Sequence, residues 1–161
     1  MEKIREELTA MLNKALTLEH AARIQYLAHA EQVQGLDSEQ VIDRLKELAS
    51  DEEKHEGVFR KLLGDYMKSA PTMEVGLTHK AGNMGEILTV NLGNEKEAID
   101  FYKQLYKKVT ENKEALQYEF ETLEHGIRHI IIDEQEHVTE LERLMEKSSG
   151  RKTKTGEYLH A

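Results

Sequence analysis

One short pattern occurs twice in this chain, and each copy has a matching partner upstream. Asp51-Glu52-Glu53-Lys54-His55 and Asp133-Glu134-Gln135-Glu136-His137 both read Asp-Glu-x-x-His. Ahead of the first lies Glu19-x-x-Ala22-x-x-x-Tyr26, and ahead of the second Glu95-x-x-Ala98-x-x-x-Tyr102. Each half thus carries a lone Glu with a Tyr two helical turns on, then a Glu and a His three residues apart. On a helix, residues three or four apart share a face. Four carboxylates and two imidazoles drawn from four helices can therefore converge inside one bundle.

The apolar spacing predicts those helices. The first runs from about Lys3 to Gln34, with Ile4, Leu8, Leu12, Ala15, Ala22, Tyr26, Ala30 and Val33 on one stripe. Gly35 suits the position past its end, and Asp37 with Gln40 reads as a capping box opening the second helix. That helix carries Val41, Leu45, Leu48, Phe59 and Leu62 and nears its end at Gly64. Residues 66–83 hold Pro71, Gly76 and Gly82 and break the period. Such a length suits a crossover returning along the full height of a bundle. The third helix is expected from about Gly85 to Lys108, with a turn over Thr110 to Lys113. The fourth carries Leu116 through Met145, ended by Ser148-Ser149-Gly150. The expectation is an all-α protein: an antiparallel four-helix bundle over 1–147, with one long crossover between helices 2 and 3, then a short polar tail over 148–161.

Composition agrees and excludes some functions. One proline in 161 residues and 33% charged residues favour long amphipathic helices. A net charge of −9 argues against a nucleic-acid partner and would gather cations. With no cysteine there is no disulfide, no Cys zinc site and no rubredoxin-type iron centre. No apolar stretch is long enough to span a membrane, and the amino terminus lacks the apolar region of a signal peptide, so the cytoplasm is the expected location.

The ionisable residues of the repeat fall in phase with the apolar stripes. Glu19 continues 15, 22 and 26; Glu52 and His55 continue 45, 48 and 59; Glu95 continues 92, 98 and 102; Glu134 and His137 continue 127, 130 and 141. Glu53, Glu56, Glu97 and Glu136 fall off those stripes, which selects Glu95 over Glu97. Four carboxylates buried together must be protonated in part or offset by cations, and two divalent ions balance them. Carboxylate oxygens with one imidazole per ion suit iron or manganese. A single Glu-x-x-His is usually a solvated helix face; two units with matched partners favour a dinuclear site.

These motifs resemble the ferritin-like superfamily and, within it, bacterioferritin. Asn13 to Glu19 and Ile24 to Ala30 look like its first helix, and the two Asp-Glu-x-x-His runs like its second- and fourth-helix motifs. The resemblance covers about residues 5 to 147. It implies that Glu19, Glu52 and His55 ligate one metal and Glu95, Glu134 and His137 the other, with Glu52 and Glu134 bridging. It further implies two iron ions per chain (manganese being possible), oxidation of Fe(II) to Fe(III) by dioxygen or hydrogen peroxide, iron storage and a homo-oligomer. Bacterioferritins commonly bind haem through a Met just after the second-helix Glu; here that position is Glu53, so no haem is expected by that route. Glu95 and Glu134 lie 39 residues apart against 33 for Glu19 and Glu52, which predicts an extended junction between helices 3 and 4.

Other residues read two ways. Tyr26 and Tyr102 can hydrogen-bond ligands or donate an electron, or simply fill helix contacts. Asp51 and Asp133 can orient a ligand His from behind, or be solvated. His29, His125 and His129 lie off the ligand positions and read as surface histidines, with iron in transit as the alternative; Met67, Met73 and Met84 read as packing residues. Competing functions are a rubrerythrin-like peroxidase, a manganese catalase and a metal-stabilised structural bundle.

Overall fold

The computed structural model describes residues 2–34 and 38–148. The capping roles expected of Gly35 and Asp37 and the tail after Ser148 lie outside the described residues. Four long helices carry the fold: α1 (Glu2–Gln32), α2 (Ser38–Lys61), α3 (Met84–Glu111) and, after a one-turn α4 (Lys113–Leu116), α5 (Phe120–Ser148). No strand occurs among the described residues, and none of their helices is long and apolar enough to cross a membrane.

Cross-helix contacts give the directions. Tyr102 reaches Glu19 while Lys108 pairs with Glu7, so α3 runs antiparallel to α1. His55 reaches Asp133 and His137 reaches Asp51, so α5 runs antiparallel to α2. The crossover climbs beside α1: Thr72 N bonds Asn13 Oδ1 at 2.9 Å, Gly76 N bonds Thr17 O at 2.9 Å, and His79 N bonds Gln25 Oε1 at 2.6 Å. It therefore returns the chain to the end where α3 starts. There Asn83 caps the helix by accepting from Glu86 N at 2.9 Å.

Two ends of the helices depart from the periodicity. α2 passes into a wider π turn, Leu62–Tyr66, followed by Lys68 at φ 54°. The third helix runs on through Thr110 and Glu111, so the expected turn shrinks to Asn112. Leu116 belongs to α4 and not to the fourth long helix, which starts at Phe120 after Gln117 at φ 46° and a 3₁₀ turn. The extra length between Glu95 and Glu134 is taken up here, partly by a longer α3 and partly by this junction. Leu116 is buried there and anchors the junction to the core.

The core has two parts. One end is filled by Leu12, Leu16, Phe59, Leu105, Leu123 and Ile127 among others, and the other by Val41, Leu45, Leu48, Ile87, Leu88 and Leu141 among others. Each buried aliphatic side chain contributes roughly 1.5–3 kcal/mol. Between these apolar parts lies a polar level. Of the methionines read as packing residues, Met67 and Met84 are, but Met73 is 93% exposed on the crossover.

Candidate metal centre

Six ionisable side chains meet in the polar level: Glu19 from α1, Glu52 and His55 from α2, Glu95 from α3, Glu134 and His137 from α5. All are between 1% and 3% exposed. They form two groups, Glu19/Glu52/His55/Glu134 and Glu52/Glu95/Glu134/His137, in each of which one donor atom per residue lies within 4.8 Å of the others. Glu52 and Glu134 belong to both. His55 Nδ1 is 3.1 Å from Glu134 Oε1, 3.4 Å from Glu52 Oε1 and 3.6 Å from Glu19 Oε1. His137 Nδ1 is 3.3 Å from both Glu95 Oε1 and Glu134 Oε1 and 3.4 Å from Glu52 Oε1.

Short as these separations are, the donors are poorly satisfied by one another. Glu19 Oε2, Glu52 Oε1, His55 Nδ1, Glu95 Oε2 and Glu134 Oε1 are buried without a hydrogen-bond partner. A buried polar atom left unpaired costs about 1–3 kcal/mol, so five in one place point to a cation. Hard oxygen donors with one imidazole per group fit a first-row divalent metal.

The residues around this cluster bind it crosswise. His55 Nε2 donates to Asp133 Oδ2 at 2.9 Å, and His137 Nε2 to Asp51 Oδ2 at 3.0 Å. Tyr26 donates its hydroxyl to Glu95 Oε1 at 2.6 Å, and Tyr102 to Glu19 Oε1 at 2.8 Å. Each bond joins a residue of one repeat to a ligand-type residue of the other. Both tyrosines are buried, whereas the aspartates are part exposed.

Charge is redistributed accordingly. Burial raises the carboxyl pKa of Glu19, Glu52 and Glu95, and the nearby Glu134 charge adds to it. Glu134 itself is held well below the usual range, because contacts with His137 and His55 outweigh its burial. Burial opposes the charge on both imidazoles, yet Glu134 with Glu19 raises His55 to about 11, and Glu134 with Glu95 raises His137 to about 11. Protein groups alone therefore hold protons here that a cation would displace.

A cavity of about 780 Å³ opens between α1 and α3 beneath the crossover and reaches Glu52, Glu95 and Glu134. Its rim holds further polar residues, of which the stripe argument reaches Asn91, one turn before Glu95, but not Gln25 or Asn94. Gln25 Nε2 donates to Asn91 Oδ1 at 2.9 Å and to Asn94 Oδ1 at 2.7 Å. Asn91 Nδ2 donates to His29 Nδ1 at 2.9 Å, and His29 Nε2 donates to His79 O at 2.9 Å. His29 is thus 2% exposed and not a surface histidine, because the crossover covers that side of α1. Glu56, off the stripe, is likewise buried at 4%, beside Arg23 and within 3.6 Å of His20 and Arg60. The position of Asn91 one turn before Glu95 was the available signal for the first set; nothing local marks Glu56. His125 and His129 are exposed.

A family model described as a ferritin-like domain matches residues 9–150. Comparison with curated protein sequences finds no significant match. Among solved structures, ferritin-like diiron-carboxylate proteins from Bacillus anthracis str. Ames superpose with a TM-score of 0.82 at 24% identity, over 90% of this chain and 99% of theirs. A Desulfovibrio desulfuricans bacterioferritin, whose structure describes its diiron site, gives 0.79 at 23% identity, over 92% and 85%. A bacterioferritin-related dodecameric thioferritin from Bacteroides fragilis gives 0.78 at 21%, over 90% and 88%. These likenesses show a shared fold.

Proposed function

This chain belongs to the ferritin-like family, and on that footing we propose that it is a di-iron protein that oxidises Fe(II) to Fe(III). In this reading Glu19, Glu52, His55 and Glu134 hold one iron, and Glu52, Glu95, Glu134 and His137 the other, so that Glu52 and Glu134 bridge. The observation that carries the reading is the pair of four-residue groups sharing two carboxylates, with five of their buried donor atoms otherwise unpartnered. Two divalent ions offset four carboxylates.

Fe(II) is the substrate. Two ferrous ions lose one electron each; the electron pair, with two protons, reduces dioxygen to hydrogen peroxide or hydrogen peroxide to two waters. The chain's own groups bind and orient. Asp133 and Asp51 accept the Nε2 protons of His55 and His137 and so leave Nδ1 of each ring for iron. Tyr102 and Tyr26 hold Glu19 and Glu95 and place two oxidisable phenols beside the ligands. The cavity between α1 and α3 is the route for the oxidant.

Iron detoxification or storage by a cytoplasmic homo-oligomer completes the reading, supported by family membership and by the dodecamer described for the Bacteroides fragilis protein. Haem held through a Met after the second-helix Glu is not part of it: that residue here is Glu53, an exposed carboxylate. The test is an anaerobic titration of the metal-depleted protein with Fe(II), followed by oxygen, at two and then many irons per chain. Fast oxidation continuing past two, with the iron remaining soluble on the protein, supports a storage ferroxidase. Oxidation that stops near two moves the assignment to a resident cofactor of the peroxidase type. Preferential recovery of manganese with peroxide-disproportionating activity moves it to a catalase.

A further inference from the structure

We propose that His125, His129 and Asp133 form a capture site for a divalent transition-metal ion on the outer face of α5. The three residues stand one turn apart on one side of the helix. The His125 and His129 ring centroids are 6.0 Å apart and tilted by 33°. His129 Nδ1 lies 3.6 Å from Asp133 Oδ2, and that same oxygen accepts the bond from His55 Nε2 at 2.9 Å. A row of side chains thus leads from solvent, where His129 is 64% exposed, to a buried imidazole of the metal centre.

Two imidazoles one turn apart on a helix can each give one nitrogen to a single ion at about 2.1 Å. Of the three, His129 and Asp133 already bring Nδ1 and Oδ2 to 3.6 Å of each other, and His125 stands one further turn along the same exposed face. Imidazole donors select iron, zinc, copper or nickel over magnesium and calcium. The local cation, Arg128, lies 3.4 Å from His125 Nδ1 but bonds Glu124 at 2.7 Å, which offsets its charge. The other repeat has no such pair: one and two turns before Asp51 stand Glu47 and Asp43, and Glu47 is held by Arg44 at 2.8 Å. The site is therefore a property of the α5 copy alone. Metal binding at this surface stands by itself; delivery from it to the centre rests on the di-iron reading.

The experiment is a count of Zn(II) bound to the full chain, by competition with a chromophoric chelator. It compares the wild type with His125→Ala/His129→Ala and with Glu52→Ala/Glu134→Ala. The expected result is one weaker ion per chain beyond those at the centre. The histidine double variant should bind that ion at least about tenfold more weakly and keep the others; the glutamate double variant should do the reverse. A wild type without the weaker ion, or a histidine variant that binds it undiminished, overturns the proposal. Fe(II) oxidation in the same proteins separates the two readings: a wild type that binds the weaker zinc ion but oxidises no iron sinks the ferroxidase and leaves the capture site standing.

Discussion

His55 donates its Nε2 proton to Asp133, 2.9 Å away, and that aspartate comes from the other half of the chain. The bond from His137 to Asp51 is its counterpart, and Tyr26 with Glu95 and Tyr102 with Glu19 cross in the same way. Neither repeat could form an oriented half-centre alone. The α2–α5 seam supplies the support for both imidazoles, and the α1–α3 seam the support for both outer carboxylates.

Removing either aspartate should loosen its histidine without disturbing the core. Asp133→Ala and Asp51→Ala are each expected to weaken metal binding roughly 10–100-fold while helical circular dichroism stays unchanged. Anaerobic calorimetric titration with Fe(II) checks this. Wild-type affinity in both variants would mean that the aspartates are merely solvated neighbours.

Tyr26→Phe deletes the hydroxyl that Glu95 accepts and leaves a buried carboxyl without that partner. The metal-depleted variant should lose about 1–3 kcal/mol in urea unfolding. The phenol's redox part is tested separately: Fe(II) oxidation at an unchanged rate in both Tyr26→Phe and Tyr102→Phe would leave the tyrosines with a positioning role only.

The pH response follows from the raised groups. The pKa values of His55 and His137 are held up to about 11, against an ordinary 6.5. A group raised on folding adds stability that is complete below its unfolded value and lost as pH rises through its folded value. Metal-depleted protein should therefore lose melting temperature as pH climbs from about 6.5 toward 11. Binding of metal displaces these protons, so a pH indicator should register their release, and apparent affinity should grow with pH. A melting temperature flat over this range in the depleted protein would contradict the charge assignment.

Gly76 holds the crossover against α1. A Cβ there would stand 3.0 Å from Thr17 O, the same carbonyl that accepts from Gly76 N. Neither backbone can yield cheaply, so Gly76→Ala should lift the strap and cost about 1–3 kcal/mol. Limited proteolysis should then cut within 70–80 faster than in the wild type. An unchanged digestion rate and unchanged stability would show that the strap is held from elsewhere.

Periodicity by itself determined the inward face of each long helix and the six ionisable residues on it. The 3.6-residue phase separates buried Glu95 from exposed Glu97, places Glu52 and His55 beside Leu48 and Phe59, and announces four helices with a long return between the second and third. It can do so because the hydrophobic pattern along one helix reports that helix's own buried face. Only the tertiary structure decided the crossing of aspartates and tyrosines between repeats, since helix-to-helix register depends on packing among segments far apart in sequence. It also decided the burial of His29 and Glu56. The crossover covers one and three basic side chains gather around the other, and neither arrangement is written in the neighbouring residues.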